Sequence, residues 1–387
     1  MTFHLTRPDP DFLYKLTLSF ADVLPATTPG LQARTPLPAT GPYLISRYNP
    51  RREVLMVRNP RFREWSAAAQ PVGNPDQILI RIDLSAARDA TAVASGKSDF
   101  MPSIGQVPSG ASYFQHHRGQ LRINPQLSTG FLFLNVNTSP FNDLRVRQAV
   151  NLALDRGRVV AGYGGPRAAQ PTCQILPPGL AGYHRYCPYT RYPAADGGWR
   201  APDLARARRL VAASGTAGMQ VTVWNDFLTP QGAVKEAEYM VQTLRQLGYR
   251  AALRLLPDST FFAYTNDSRN HAQVIDVGWS ADYASADDFI GKLACAYFVP
   301  GNGLATADPS EFCDPALDRQ IARTAAEQGT NPAAAAAQWA RLDRQLTDLA
   351  IWVPTVTPNE VDFLSSRVRN YQFNPIWGAL IDQFWVR

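Results

Sequence analysis

Lysine is almost missing from this chain. Of 38 basic residues only Lys15, Lys97, Lys235 and Lys292 are lysine, and the rest are arginine. The formal charge is +6, yet the densest basic clusters, Arg51-Arg52 and Arg206/Arg208/Arg209, are short and lack interleaved aromatics. A nucleic-acid surface concentrates its charge in a stripe, so that partner class is set aside. The arginine bias fits GC-rich coding better than recognition of an acidic partner. No run of about 18 apolar residues exists, which excludes a membrane-spanning helix. Met1 to Pro10 shows no basic stretch leading into an apolar one, and Lys15 interrupts the only candidate, so the chain as it stands opens on no secretory signal. Histidine is scarce too, with five in all. His116 and His117 are adjacent and in an extended segment would point to opposite faces, while His4, His184 and His271 are isolated, so neither a metal nor a cofactor is expected. No H-E-x-x-H, G-x-S-x-G, P-loop or dinucleotide-binding glycine motif is present, and no enzyme is expected.

Cysteine is limited to four, in two local pairs, Cys173/Cys187 and Cys295/Cys313. Neither has the C-x-x-C spacing of a zinc knuckle or redox site. Each pair would close a loop of fewer than about twenty residues, which reads as two disulfides and an oxidising compartment. Four buried thiols in a reducing compartment is the other reading, since four cysteines allow three pairings.

What is present is globular. A length of 387 residues, at roughly 100–200 per domain, gives two or three domains. An apolar fraction of 45% with 18% charged residues supports a large core and excludes disorder as the main state. A Pro-, Thr- and Ala-rich stretch around Pro25 to Pro38 reads as a linker or crossover. Strands are predicted at Tyr43–Ile45, Val54–Val57 and Gln77–Asp83, and a helix over Ser85–Ser95 stopped by Gly96. Phe131–Asn137 is a strand. Phe141–Val160 is the clearest helix, with Asp143 as its cap and Val146, Ala149, Val150, Ala153 and Leu154 on one face. Further helices are predicted from Asp203 to Ala213, from Gln231 to Leu247 with Val234, Ala237, Val241 and Leu244 inward, and from Ala333 to Ala350. Strands at Met219–Trp224 and Tyr249–Leu256 flank the second of these as a βαβ unit. Val274–Trp279 is a further strand, and the tail from Ile351 reads as strands.

The segment F-L-F-L-N-V-N-T-S-P-F-N-D-L-R-V-R-Q-A-V-N-L-A-L-D-R-G-R-V-V, Phe131 to Val160, resembles the signature of the family 5 extracytoplasmic solute-binding proteins, which serve oligopeptide, dipeptide and nickel ABC importers. Thr40-Gly41-Pro42-Tyr43 with Val57-Arg58-Asn59-Pro60, then Gly278-Trp279-Ser280-Ala281-Asp282-Tyr283, then Trp352-Val353-Pro354 agree in order. The resemblance implies an α/β, two-lobed periplasmic-binding-protein-like fold of class II, peptide-binding type, here N-terminally incomplete. Only about forty residues precede the Thr-Gly-Pro-Tyr stretch, where the family carries a signal or lipoprotein peptide and on the order of a hundred residues. On this reading residues 1–38 are a remnant of the small second subdomain and crossover, 39–138 a partial first lobe, 139–350 the second lobe, and 351–387 strands returning to the first.

The resemblance also implies the chemistry. An oligopeptide or similar small solute is clasped between lobes and passed, unreacted, to an ABC permease by a monomer that lies outside the cytoplasmic membrane and touches it only through an N-terminal lipid anchor. A buried peptide ammonium needs a counter-charge. The carboxylate carried over is Asp282, Trp279 would be an apolar wall, and Tyr283 an adjacent hydrogen-bond donor. Asn135 and Asn137, ending a strand, are further candidate contacts. Asp287 and Asp288 read as caps of a helix beginning near Phe289. Asp143, Arg147, Asp155 and Arg156 read as caps and salt links within the signature helix. Three other readings stand beside transport of peptides: the sensor portion of a longer regulatory chain, an enzyme of unrecognised type, and a relative that binds a nickel complex or an oligosaccharide.

Overall fold

A computed structural model describes the chain apart from Met1, Arg7, residues 29–34, 83–84, 104–114, 227–230 and 304–305, and apart from the side chains of 231–234. Part of the expected linker, the end of the predicted strand at Asp83, and the inward position Val234 lie outside the described residues. The rest divides into two compact units, a smaller one of Lys15–Asn124 with Glu360–Arg387 and a larger one of Met1–Tyr14 with Pro125–Asn359.

The smaller unit opens with an antiparallel sheet of β1 (Tyr43–Asn49), β2 (Glu53–Arg58) and β3 (Gln77–Arg81). Asn49 makes the first turn, its carbonyl accepting from Arg52 N–H and its side chain from Arg51 N–H, as its placement before proline suggests. Register aligns Ile45, Met56 and Ile78, then Tyr48, Val54 and Ile80, on one face. Ile45, Tyr48 and Ile80 stay exposed there. The helix Ala86–Ala94 buries Ala90 and Val93 against Met101, Leu121, Val361 and Phe363. Gly96 follows it in the left-handed region that a side chain would resist, φ +75°. Strands β4 (Phe100–Met101) and β5 (Leu121–Pro125) pair with the segment that returns after Glu360.

The larger unit is built on β6 (Ser128–Leu134), β7 (Ala169–Pro171), β8 (Gln220–Asp226), β9 (Arg250–Leu256), β10 (Val274–Ser280) and the first part of β11 (Trp352–Leu364). Their order is β11-β6-β10-β8-β9, with β7 also on β11. β6 is antiparallel to both neighbours, whereas β10, β8 and β9 run parallel. A parallel pair needs a crossover, and the helix Gln231–Gln246 supplies it between β8 and β9. Gly248 ends that connection at φ +98°. Leu132, Leu134, Val146, Val150, Val223, Leu244 and Val274 share the principal core.

The long helix predicted over Phe141–Val160 is two. Leu144–Ala153 is capped by Asp143, whose side chain accepts from Arg145 N–H, and Arg156–Gly162 by Asp155, which accepts from Arg158 N–H. Leu154 between them is extended (ψ 121°), so a second capping aspartate restarts the chain inside one apolar pattern. The two arginines expected in salt links bind backbone instead. Arg147 donates to the carbonyls of Phe141 and Leu349. Arg156, fully buried, donates to the carbonyls of Asn151, Thr172 and Pro354 and to Asn151 Oδ1. A guanidinium has five donors in a fixed fork and can close several orphan carbonyls at once. The unit boundaries also differ from those drawn on the sequence. Residues 125–138 belong with the larger unit because β6 is hydrogen-bonded between β10 and β11, and β11 stays there until Asn359.

Both local cysteine pairs are disulfides. Cys173–Cys187 and Cys295–Cys313 bridge Cα atoms 5.0 and 4.7 Å apart, and both lie in the larger unit.

Candidate functional site

The stretch Trp279 to Lys292 gathers most of the residues that the sequence nominates. β10 and β6 stay in register to their ends, Trp279 facing Thr129 and Ser280 facing Ser128. Ser280 Oγ donates to Ser128 Oγ at 3.0 Å and Ala281 N–H to the Leu127 carbonyl at 2.8 Å, so the strand delivers the following turn at a fixed height. Gly278 and Gly130 pair one step earlier. A Cβ on Gly278 would come within 3.2 Å of the Thr129 carbonyl, and one on Gly130 within 3.2 Å of Thr355 Oγ1. Glycine at both positions lets the strands and their neighbours approach closely.

Trp279 is half-buried, and its indole N–H donates to Asp288 Oδ2 at 3.1 Å. The same oxygen accepts the backbone N–H of Asp282 at 2.8 Å. Lys292 Nζ stands 3.7 Å from the centre of the Trp279 ring and 3.8 Å from Asp288 Oδ1. Burial pushes the Asp288 carboxyl above its ordinary range, and the hydrogen bonds from Trp279 and Asp282 and the charge of Lys292 pull it back. Asp282 itself is exposed, and its carboxylate makes no hydrogen bond or ion pair among the described residues. Tyr283 is half-buried and stacks on Tyr14, rings 6.4 Å apart and 6° from parallel. Burial first, then the charges of Asp288, Asp287 and Asp11, push its phenol well above the ordinary range. Asp11 is buried and accepts from Ser285 Oγ at 2.8 Å and Gln328 Nε2 at 2.7 Å, which holds the N-terminal segment against this region.

Asn135 and Asn137 are not brought to this place. They follow the other end of β6, next to the start of β10, and the six steps between put them about 20 Å from Trp279. Asn135 is buried, with its amide donating to Glu311 Oε1 at 2.7 Å, and Asn137 Nδ2 donates to the Glu311 carbonyl at 3.0 Å. Glu311 has a left-handed backbone, φ 57°, and two asparagines hold it there. The sequence pattern predicts Asp287 and Asp288 as helix caps. Ala286 at the start of the helix Asp287–Ile290 offers no side-chain cap, the Asp287 N–H donates to Ser285 Oγ at 3.3 Å, and the Asp288 carboxylate turns to Trp279 and Asp282 instead. The i,i+4 spacing to Lys292 was the sequence signal that this carboxylate had a charged partner. His117, one of the adjacent pair, meets Gln120 Oε1 at 2.9 Å and packs on Phe363.

The family model described as bacterial extracellular solute-binding proteins, family 5 Middle, matches residues 1–296. The chain belongs to this family. Its members bind solutes rather than transform them, and the family is extracellular, a setting that suits the two disulfides. Among curated relatives, the "Probable di/tripeptide-binding protein 5" of Pseudomonas aeruginosa (strain UCBPP-PA14) is 24% identical over 392 residues, covering 96% of this chain and 67% of that one. Among solved structures, "Clavulanic acid biosynthesis oligopeptide binding protein 2" superposes with a TM-score of 0.83 at 22% identity, covering 99% of this chain and 70% of that one. The "ABC transporter-associated periplasmic binding protein DppA from Helicobacter pylori in complex with peptide STSA" gives 0.75 at 19% identity, covering 98% and 71%. These likenesses place the fold among periplasmic binding proteins of the oligopeptide type. The chain spans between 58% and 67% of the length of the first curated relatives it matches.

Proposed function

We propose that this chain captures a peptide or peptide-like solute outside the cytoplasmic membrane, holding its α-amino group at Asp282 and its first residue against Trp279, for delivery to an ABC permease. The observation that carries the reading is the state of Asp282. Its backbone is fixed by Asp288 while its carboxylate has no partner among the described residues. A carboxylate held in place and left without a counter-charge is suited to an incoming ammonium. Half-buried Trp279 beside it offers apolar area and a polar edge already satisfied. The names of the relatives, binders of di- and tripeptides and oligopeptides, supply the ligand class.

The test is a comparison of free and blocked peptides. Asp282→Ala is expected to weaken binding of di- and tripeptides with a free α-amino group by roughly 2–5 kcal/mol. N-acetylated versions should lose far less. Equal losses measured by titration calorimetry would remove Asp282 from the amino terminus.

A further inference from the structure

We propose that Asp288 is a positioning residue for solute capture: from its buried place it fixes the indole edge of Trp279 and the backbone of Asp282 together, and so aims the Asp282 carboxylate. This rests on the reading of Asp282 as the partner of the solute's amino group.

Three observations meet at this side chain. Asp288 is 3% exposed, yet it lies in the first turn of a four-residue helix and caps none of that helix's N–H groups. Its Oδ2 accepts from Trp279 Nε1 and from Asp282 N–H. Its Oδ1 faces Lys292 Nζ, which in turn covers the Trp279 ring. One carboxylate therefore ties the wall, the turn and a covering cation. A buried carboxylate is costly unless its oxygens are paired, and here the pairs are the parts of the site themselves.

The physical need for such a tie follows from the exposure of Asp282. An exposed ion pair gains little when its side chains must be ordered on contact and when water screens the charges. Restraining the backbone beforehand reduces the ordering left to do when the ligand arrives. The charges add a second effect. Lys292 offsets Asp288, whereas the Asp282 carboxylate has no ion pair among the described residues. Asp282 and Asp288 repel each other, and that repulsion contributes to the raised carboxyl of Asp288. A cation arriving at Asp282 relieves it, whereas an acetylated terminus does not. Specificity for the free amine thus extends one residue deeper than the residue that touches it.

The experiment has two arms on the 387-residue chain. Backbone hydrogen exchange requires no ligand: Asp288→Ala should speed exchange of the Asp282 amide by about tenfold or more while the helix Leu144–Ala153 stays unchanged. In the second arm, trialanine and N-acetyl-trialanine are titrated into wild type, Asp288→Ala, Asp282→Ala and the double variant. Asp288→Ala should weaken trialanine binding by about tenfold, change the acetylated peptide little, and add little once Asp282 is already alanine. Asp288→Asn, which keeps an acceptor and folds if alanine does not, should fall between. Unchanged exchange at Asp282, equal losses for both peptides, or additive effects in the double variant would overturn the positioning role. Wild type that binds neither peptide, or both alike, would instead remove the Asp282 reading, and the exchange arm would still judge Asp288 alone.

Discussion

Glu236 holds its proton more tightly than a surface glutamate does. Burial raises its carboxyl to about 7, and the hydrogen bonds of Thr355 and Tyr163 and the charge of Arg156 offset only part of that rise. Asp276 nearby is also pushed well up, by burial and by the charges of Glu236 and Asp226, while Asn225 donates to its Oδ2 at 3.0 Å. A carboxyl raised in the folded state binds its proton more tightly there than in the unfolded chain. The contribution of this carboxyl to stability is therefore greatest below the ordinary value of 4.5, falls as the pH rises towards 7, and levels off above it. The cost assigned to Glu236 is on the order of 1–3 kcal/mol at neutral pH. Asp308 and Asp343, both buried and raised to about 7, act with the same sign. Calorimetric melting is expected to decline from about pH 5 to pH 8, and Glu236→Gln should flatten that decline; a wild-type melting temperature that rises over this range would contradict the assignment. None of this was legible in the sequence, because carboxylates scattered along the chain do not announce which of them the fold will bury. Trp279 and Asp282 were nominated by family resemblance. Asp288 was not, since two aspartates before an apolar Phe-Ile step look like a helix cap.

Punctuation decides most of what can be read about elements. Gly215 and Gly248 stop helices at φ +71° and +98°, and the apolar faces of Leu144–Ala153 and Gln231–Gln246 lie where their spacing puts them. The break at Leu154–Asp155 was hidden because the apolar pattern runs on through it. Asp155→Ala should cost about 1 kcal/mol by removing the side-chain acceptor of the Arg158 N–H in the first turn of Arg156–Gly162, a loss to be measured by denaturant titration. The helix Pro315–Gln328 is hidden in the sequence for the opposite reason. Its cap is strong, with Asp314 accepting from Ala316 and Leu317 N–H ahead of Pro315, but only Leu317, Ile321 and Thr324 are buried along 14 residues. An apolar stripe so thin gives periodicity little to register.

At the scale of the molecule, composition and the strand–helix–strand order indicate an α/β chain of more than one unit, and pairing across long separations fills in the rest. The sequence offers no local sign that β6 sits between β10 and β11, or that residues 360–387 rejoin a unit begun 345 residues earlier. The disulfides were legible because they are local, closing separations of 14 and 18 residues. Reducing them should lower the stability of the larger unit by on the order of 3 kcal/mol each in the loop-entropy model, seen as an earlier thermal transition in the presence of a reductant. Matching transitions with and without it would show that the native contacts hold these loops unaided. The bare face of β1 to β3 has its own corollary, because water meets Ile45, Tyr48 and Ile80 directly. Surfaces of that kind govern colloidal behaviour. A concentrated sample of this chain should bind a hydrophobic dye and scatter light more steeply than its dilution predicts, and a lysine introduced at Ile80 should quiet both signals.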